Sequence, residues 1–517
     1  MVTTAMSTAP STPRGIRGSR AYAIVVCLFS SLGGLFFGYD QGVTGGVLVM
    51  PSFLDAFCVD VGKNSAADCR EPVASKLPSN WLTFTTLYNV VYYLGCMLGA
   101  WLAAYVADRC GRRATVFSAG AFFCLGTAVL VATPPKQHAM ALVARVVQGM
   151  GVGNSSFALP LFGAEVAPKE IRGLLSGFMQ MTVVTGLLLA NVVNYVVKNA
   201  AEGWRISNGV AMFPPLVVMA GIFCVPESPR WVFQHRGRQA AQMTLQRLRQ
   251  TSSVEDELDA INEQLDEEHQ GRRVTWSELV GPLVRRRVFI AMTLQLLQQA
   301  TGINPVLTYG GQIFRDVAGD GILSLLVLTI VNFVSTIPAM RWVDTCGRRR
   351  LLLLGAVGMS LGHLVAAIAF TAGCLGDTNQ SSCDRVAAYV IIVATAFFVF
   401  NFAISWGPVC WIYPAEIFPL RVRAKALSLS TMTNWAMGAL MIGIPKLFPY
   451  LNINGVFFLF FALCLCCWAF VFLLCPETKG LLLEDIEALF HQASSQPHEN
   501  VDAAPSPVIK FSPIASP

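Results

Sequence analysis

ADRCGRRATVF, Ala107 to Phe117, and VDTCGRRRLLL, Val343 to Leu353, are two copies of one pattern: an acid, a glycine and paired arginines set between apolar runs. Each copy is flanked by stretches of about 20 mostly apolar residues, the length that a helix rising ~1.5 Å per residue needs to cross ~30 Å of hydrocarbon. The pattern therefore reads as a charged loop joining two membrane spans, and its recurrence as a duplicated unit. Two further pairs return in the same order. Glu165-x-x-Pro168-x-x-x-Arg172 is echoed by Glu416-x-x-Pro419-x-x-x-Arg423, and Pro226-Glu227-Ser228-Pro229 by Pro476-Glu477-Thr478. This repeat predicts an all-α membrane protein of two six-helix bundles in the same orientation, related by an axis along the membrane normal, a plan that lets two halves close alternately around a midplane site.

Composition agrees about the solvent. Of 517 residues, 54% are hydrophobic and 13% charged, with a mean hydropathy of +0.54, more apolar surface than a water-soluble fold hides. Twelve spans are predicted, at 21–49, 81–106, 114–133, 139–163, 174–198, 206–225, 287–313, 322–340, 351–373, 387–413, 424–446 and 454–475. They are numbered 1 to 12 below. The first is too long and glycine-rich for a cleaved signal peptide. The predicted organisation is a disordered tail (1–18), an N-terminal bundle (19–225), a cytoplasmic helical linker (226–286), a C-terminal bundle (287–475) and a second tail (476–517), disordered after about 490. Within the linker, Gln239–Arg249 and Glu255–Glu268 have the spacing of short amphipathic helices.

Lys and Arg cluster on one side: Arg14, Arg17 and Arg20 before span 1, Arg109, Arg112 and Arg113 after span 2, Arg348 to Arg350 after span 8, and Arg421, Arg423 and Lys425 after span 10. The positive-inside rule places this side, both termini and the linker in the cytoplasm. The formal charge of +6 is this bias, and no basic patch with interleaved aromatics points to nucleic acid. No nucleophile paired with a base, phosphate loop or metal-spaced His/Cys cluster points to an enzyme, a metal or a cofactor. Glu165 and Glu416 are expected to form salt bridges between the halves with Arg112, Arg113, Arg348 and Arg349, holding the inner side shut. Asp108, Arg172, Asp344 and Arg423 complete this predicted cytoplasmic gate. Cys58 with Cys69, and Cys374 with Cys383, fall in predicted external loops, where each pair either forms a local disulfide or stays as thiols. Asn379-Gln380-Ser381 is an external glycosylation sequon.

Two charges lie inside the bilayer part of the first half. Asp40 sits mid-span in SLGGLFFGYDQGVTGGVLVM, Ser31 to Met50, and Arg145 in span 4. An ionised side chain there costs ~2.5–3.5 kcal/mol on insertion scales, so it faces the bundle interior, finds a partner and marks an ion path. A movement that changes the Asp40–Arg145 separation changes the proton affinity of the acid, which is a physical basis for coupling; a static pair pinning spans 1 and 4 is the competing reading. Phe37, one turn before Asp40, either touches substrate and links its occupancy to protonation or serves only in packing.

The paired Asp/Gly-Arg-Arg loops, Pro226-Glu227-Ser228-Pro229-Arg230, Gln298-Gln299-Ala300-Thr301-Gly302-Ile303-Asn304 in span 7 and Pro476-Glu477-Thr478-Lys479-Gly480 closely resemble the sugar porter family of the major facilitator superfamily over about residues 20–485. The resemblance implies monosaccharide transport by alternating access, usually of hexoses, as uniport or proton symport. Proton-coupled members resemble this chain in carrying Asp in the first span and Arg in the fourth, whereas facilitative animal relatives commonly carry Asn at the position of Asp40. Gln41 departs from the apolar residue of plant members. Carried over onto this sequence, the family pattern makes Gln298, Gln299, Asn304, Gln180, Asn332, Trp411 and Asn434 the sugar ligands, with Trp411 stacking on the ring. Gly302 and Pro305 flank Asn304 where span 7 is expected to loosen beside a cavity, and Gln295 is assigned to interhelical contact. The expectation is a proton/monosaccharide symporter of the plasma membrane, like those of fungi, algae and plants, working as a monomer in the bilayer with the proton as its only co-transported ion. Facilitative uniport is the alternative, and a non-transporting sugar sensor is disfavoured by the short tail.

Overall fold

The computed structural model describes residues 21–70, 77–166, 172–270, 276–282, 284–318, 320–373, 385–419, 422–480 and 490. Cys374, Cys383 and the Asn379 sequon lie outside them, as do the N-terminal tail and residues 481–517 apart from Phe490. Every regular element among the described residues is a helix, with no strand. Spans 2, 3, 4 and 5 are the single helices Ser79–Cys110, Arg112–Val131, His138–Val166 and Arg172–Val197. Spans 8 and 9, Gly321–Cys346 and Arg348–Gly373, repeat the tight turn of spans 2 and 3, and span 11 is Arg423–Met441. Span 12, Phe448–Leu474, is kinked at Asn452, where φ is 54°.

The other spans are divided. Span 1 divides at Leu32 into Ala21–Ser31 and Gly33–Val47. Span 6 differs from the single predicted helix: it is Gly203–Val210 followed by Phe213–Gly221, because Pro214 and Pro215 have no N–H for the carbonyls of residues 210 and 211. Span 7 is Arg285–Ala300 and Ile303–Ala318; span 10 is Arg385–Ile404 and Trp406–Ile417. By length and hydropathy alone, eight of the described helices qualify as membrane spans. Spans 4, 6, 7 and 11 do not: the pieces of 6 and 7 are each too short, whereas 1 and 10 run on across their breaks, 4 carries Arg145 and Gln148, and 11 opens on Arg423 and Lys425. The least apolar helices thus include those that carry Arg145, the span 7 amides and Asn434.

Small residues set the bundle geometry. Gly95 and Gly99 on span 2 meet Gly149 and Gly153 on span 4 so closely that a Cβ at Gly99 would fall 2.1 Å from the Met150 carbonyl oxygen, and one at Gly153 1.9 Å from that of Cys96. This is close packing of the small-xxx-small kind, and it places Arg145 against spans 1 and 2.

The duplicated loops explain their own residues. Gly111 and Gly347 have φ of 94° and 92°, where a side chain is disfavoured, and a Cβ at either would approach Glu227 Oε2 or Glu477 Oε2 to 2.5 or 2.6 Å. Each glutamate accepts the first N–H groups of the following span: Glu227 from Arg112 and Arg113, at 3.1 and 3.2 Å, and Glu477 from Arg348 and Arg349, at 2.9 and 3.1 Å. A carboxylate at a helix N-terminus satisfies its free donors and its dipole.

The linker comprises Pro229–Arg236, Arg238–Arg249 and Glu255–Gln270, followed by a short 3-10 turn, Trp276–Val280. Arg249 fastens it to the N-terminal bundle by donating to Glu257 at 2.7 and 3.0 Å and to the Val166 carbonyl at 3.0 Å. On the opposite face, a disulfide joins Cys58 to Cys69.

Candidate functional site

In this structure the acids of the predicted inter-half gate pair with arginines of their own halves. Arg112 donates Nε and Nη2 to Glu165, both at 2.8 Å, and Arg348 donates to Glu416 at 2.7 and 3.1 Å. Each pair lies within one half. The duplication carried acid and arginine together, so the partners sit on spans already packed within one bundle. Asp108 and Asp344 lie 4.0 and 3.1 Å from those same arginines. Arg113 and Arg349 instead donate to the carbonyls of Phe223 and Phe472, and Arg423 to that of Phe418. The Arg172 side chain lies outside the described residues.

Among the described residues, an ion pair crosses between the halves on the other face. Lys198, after span 5, donates to Asp320 Oδ2 at 2.7 Å, while Asp320 Oδ1 caps span 8 through the Leu323 N–H at 3.0 Å. Partial burial works to raise the Asp320 carboxyl, but these two donors outweigh it and hold the group below its ordinary value. Beneath this pair the outer parts of spans 1 and 7 touch: a Cβ at Gly45 would lie 2.4 Å from the Leu307 carbonyl oxygen, and one at Gly311 2.9 Å from that of Gly45. The predicted external side is closed.

At mid-depth in the N-terminal half, Asp40 is 1% exposed and its Oδ1 accepts Nη1 of Arg145 at 3.0 Å. Arg145 also donates to Gln148 Oε1 at 3.1 Å and Thr44 Oγ1 at 3.2 Å, and its guanidinium lies 4.2 and 4.8 Å from the ring centres of Tyr92 and Tyr88. Gln148 passes the chain on to Thr127 Oγ1 at 2.8 Å, and Gln41 donates to the Tyr92 hydroxyl at 3.3 Å. The second carboxylate oxygen, Asp40 Oδ2, is buried without a hydrogen-bond partner among the described residues. Aromatic faces suit a cation at this depth, and the carboxylate retains one oxygen able to take a proton without displacing Arg145.

Across the interface, the span 7 amides form one connected set around Asn434. Asn434 Nδ2 donates to the side-chain oxygens of Gln295 and Gln298, both at 2.7 Å, and Asn434 Oδ1 accepts Nε2 of Gln299 at 2.7 Å. Gln299 Oε1 in turn accepts Asn304 Nδ2 at 2.5 Å. Gln295 and Gln298 donate to the carbonyls of Cys410 and Trp406 beside the break in span 10, at 2.9 and 3.0 Å. Gln295, assigned to interhelical contact, thus shares Asn434 with the predicted ligands. Phe37 packs on Trp435 with ring centres 5.6 Å apart, so the helix bearing Asp40 touches the residue next to Asn434. Trp435 itself was not predicted. Its indole donates to Ser156 Oγ at 3.2 Å and its ring lies 5.9 Å from that of Tyr93; the one available signal was an aromatic adjacent to a chosen amide.

On the arginine side of this set a cavity is lined by Gln180, Thr336, Met340, Pro408 and Ile412, reaching Asp344 and Arg348. Asn332 is buried one turn from Thr336, whose hydroxyl donates to its carbonyl at 2.8 Å. Trp411 is half-buried between the lining residues Pro408 and Ile412. The predicted ligands therefore divide into a closed amide cluster at mid-depth and a set along the path toward the arginine loops.

Comparison with known proteins agrees with this geometry. Residues 26–490 match the family model described as Sugar (and other) transporter. The chain is 33% identical over 509 residues to the probable glucose transporter rco-3 of Neurospora crassa, covering 94% of this chain and 82% of that protein. It is 33% identical over 476 residues to the sugar transport protein MST8 of Oryza sativa subsp. japonica, covering 91% of each. Among solved structures, the proton:xylose symporter XylE bound to 6-bromo-6-deoxy-D-glucose superposes with a TM-score of 0.74 at 27% identity, over 91% of this chain and 99% of that one.

Proposed function

The chain belongs to the Sugar (and other) transporter family, within the major facilitator superfamily, and from that premise we propose that it is a proton-coupled hexose symporter. It is a multi-pass membrane protein and a sugar transporter, not an enzyme. In our reading it stands in the plasma membrane with both termini in the cytoplasm, acts as a monomer, and uses Asp40 as the proton site under the control of Arg145.

The observation that carries this reading is the buried pair of Asp40 and Arg145, 3.0 Å apart, one helical turn from the Phe37–Trp435 contact between the halves. Protonation of Asp40 converts an ion pair into a weaker bond from the Arg145 cation to a neutral carboxyl, and Arg145 keeps Gln148, Thr44 and two tyrosine rings as partners. The tie between spans 1 and 4 then loosens, and Phe37 moves with span 1 against the side of the sugar site. Sugar in that site supplies hydroxyls to amides that otherwise satisfy one another, so each ligand biases the same rearrangement. Uptake of a panel of labelled hexoses and pentoses into transporter-deficient cells, with and without a protonophore, tests the proposal. Hexose accumulation that collapses with the protonophore is the expected result; uptake indifferent to it identifies a uniporter.

The Lys198–Asp320 pair serves as an outer gate in this scheme. Because the Asp320 carboxyl is held below its ordinary value, the pair is intact at neutral and mildly acid external pH and is lost only as pH falls through that lowered value. Both side chains are partly exposed, so Lys198→Ala is expected to shift the population toward the outward-open state by less than about 1 kcal/mol, up to about fivefold. Labelling of a Leu307→Cys reporter by an impermeant maleimide measures it. An unchanged labelling rate would remove the pair from the gate.

A further inference from the structure

Span 7 must break, and the break deprives one carbonyl of its usual donor. In an uninterrupted helix the Thr301 carbonyl would accept the N–H of residue 305, but Pro305 has none. Gly302 turns the chain at φ 88°, and its own N–H bonds back to the Gln299 carbonyl at 3.2 Å. Thr301 Oγ1 donates to the Gln298 carbonyl at 2.7 Å. The Thr301 carbonyl is satisfied from outside the span: Nε2 of His363, on span 9, lies 2.9 Å away.

A carbonyl only accepts, so Nε2 carries the hydrogen and Nδ1, which has no partner among the described residues, is the bare nitrogen. The imidazole is 1% exposed and enclosed by Phe398, Phe457 and Phe460, with ring centres at 4.0, 5.7 and 5.4 Å. Phe460 is also what a Cβ at Gly302 would strike, at 2.8 Å. Beyond the break, the outer half of span 7 backs onto an apolar cavity lined by Pro305, Val306 and Tyr309 together with Phe457 and Phe460. One end of the break is therefore anchored to span 9, and the other has space behind it.

We infer that His363 is a positioning residue for the sugar site. Its N–H holds the end of the inner half of span 7, and so the register of Gln298 and Gln299 toward Asn434, while the outer half, which carries Asn304, pivots. The inference rests on the reading of these amides as sugar ligands.

The test compares His363→Leu and His363→Phe, which remove the donor, with His363→Gln, which keeps an N–H. KM and Vmax for a labelled hexose are measured per transporter at the cell surface, and backbone hydrogen exchange across residues 297–306 is measured on the purified full chain. The donor-less variants are expected to raise KM roughly tenfold with little change in Vmax, as befits one lost bond to a buried carbonyl, and to speed exchange at the break; His363→Gln restores both. Wild-type KM and exchange in either donor-less variant overturns the inference, as does a Gln variant impaired as badly as Leu. If neither donor-less variant reaches the surface but Gln does with wild-type KM, the donor is required and the inference stands. If Gln also fails to reach the surface, packing of the ring is what matters and it falls. Should the wild type transport no sugar, the functional reading fails, and the exchange measurement still decides the anchor.

Discussion

An Asp40→Asn transporter is expected to equilibrate hexose across the membrane but not to concentrate it. With one proton per sugar, a potential of ~100 mV is worth ~2.3 kcal/mol, or roughly 40-fold accumulation at ~1.4 kcal/mol per decade; in the variant that ratio falls to about one. Exchange of labelled for unlabelled sugar survives, because the amide cluster lies in the other half and is untouched. The variant is expected to fold. Arg145 loses its counter-charge, but the asparagine Oδ1 can still accept its Nη1, and it keeps Gln148, Thr44 and the faces of Tyr88 and Tyr92. The reverse substitution is different in kind: Arg145→Leu leaves a fully buried carboxylate without its cation, a loss of ~3–5 kcal/mol, and the amount of protein at the membrane drops with it. The two readouts separate coupling from structure. Accumulation that persists in Asp40→Asn would make the pair a static pin between spans 1 and 4.

The repeat was legible because duplication copies residue types at fixed places, and the breaks in spans 6 and 7 have proline as their visible cause. Less legible was where partners lie. Glu227 and Glu477 stand in motifs that identify the family, but their targets are backbone N–H groups, which every residue but proline offers and no spacing marks. The pairing of the gate residues was illegible for a related cause: four acids and arginines at one depth permit pairing within or between halves, and the packing of span 3 on span 4, repeated by span 9 on span 10, sets the pairing seen here. Lys198 and Asp320 are lone charges at the ends of spans, without a pattern to connect them. His363 sits in the apolar run of span 9 with one small polar neighbour at helical spacing, Ser360, and its partner is a carbonyl exposed by a proline in a different span. What sequence conveys least is interaction with the main chain, and three of the contacts that organise this site are of that kind.

Loss of hexose uptake in Asn434→Leu is the other large effect expected. Leucine matches asparagine in size, so the contact surface of span 11 is kept, but three glutamines lose their shared partner at once. The side-chain oxygens of Gln295 and Gln298 lose a donor at 2.7 Å and Gln299 Nε2 an acceptor at the same distance, in a site where all three are nearly fully buried. Each orphaned group costs ~1–3 kcal/mol, and the amides rotate to find other partners. A preorganised array of neutral donors and acceptors is what a hexose needs, so the penalty falls on binding: losing two of its bonds raises KM by about a hundredfold or more. Gln295→Leu supplies the contrast. Its amide N–H₂ is committed to the Cys410 carbonyl at 2.9 Å, and contacts of that interhelical type are worth ~0.6 kcal/mol, a change of about threefold. Uptake kinetics for both variants, normalised to surface protein, measure the difference. A hundredfold gap assigns Asn434 to the sugar, whereas equal and small effects would mean that the whole cluster serves to hold spans 7, 10 and 11 together.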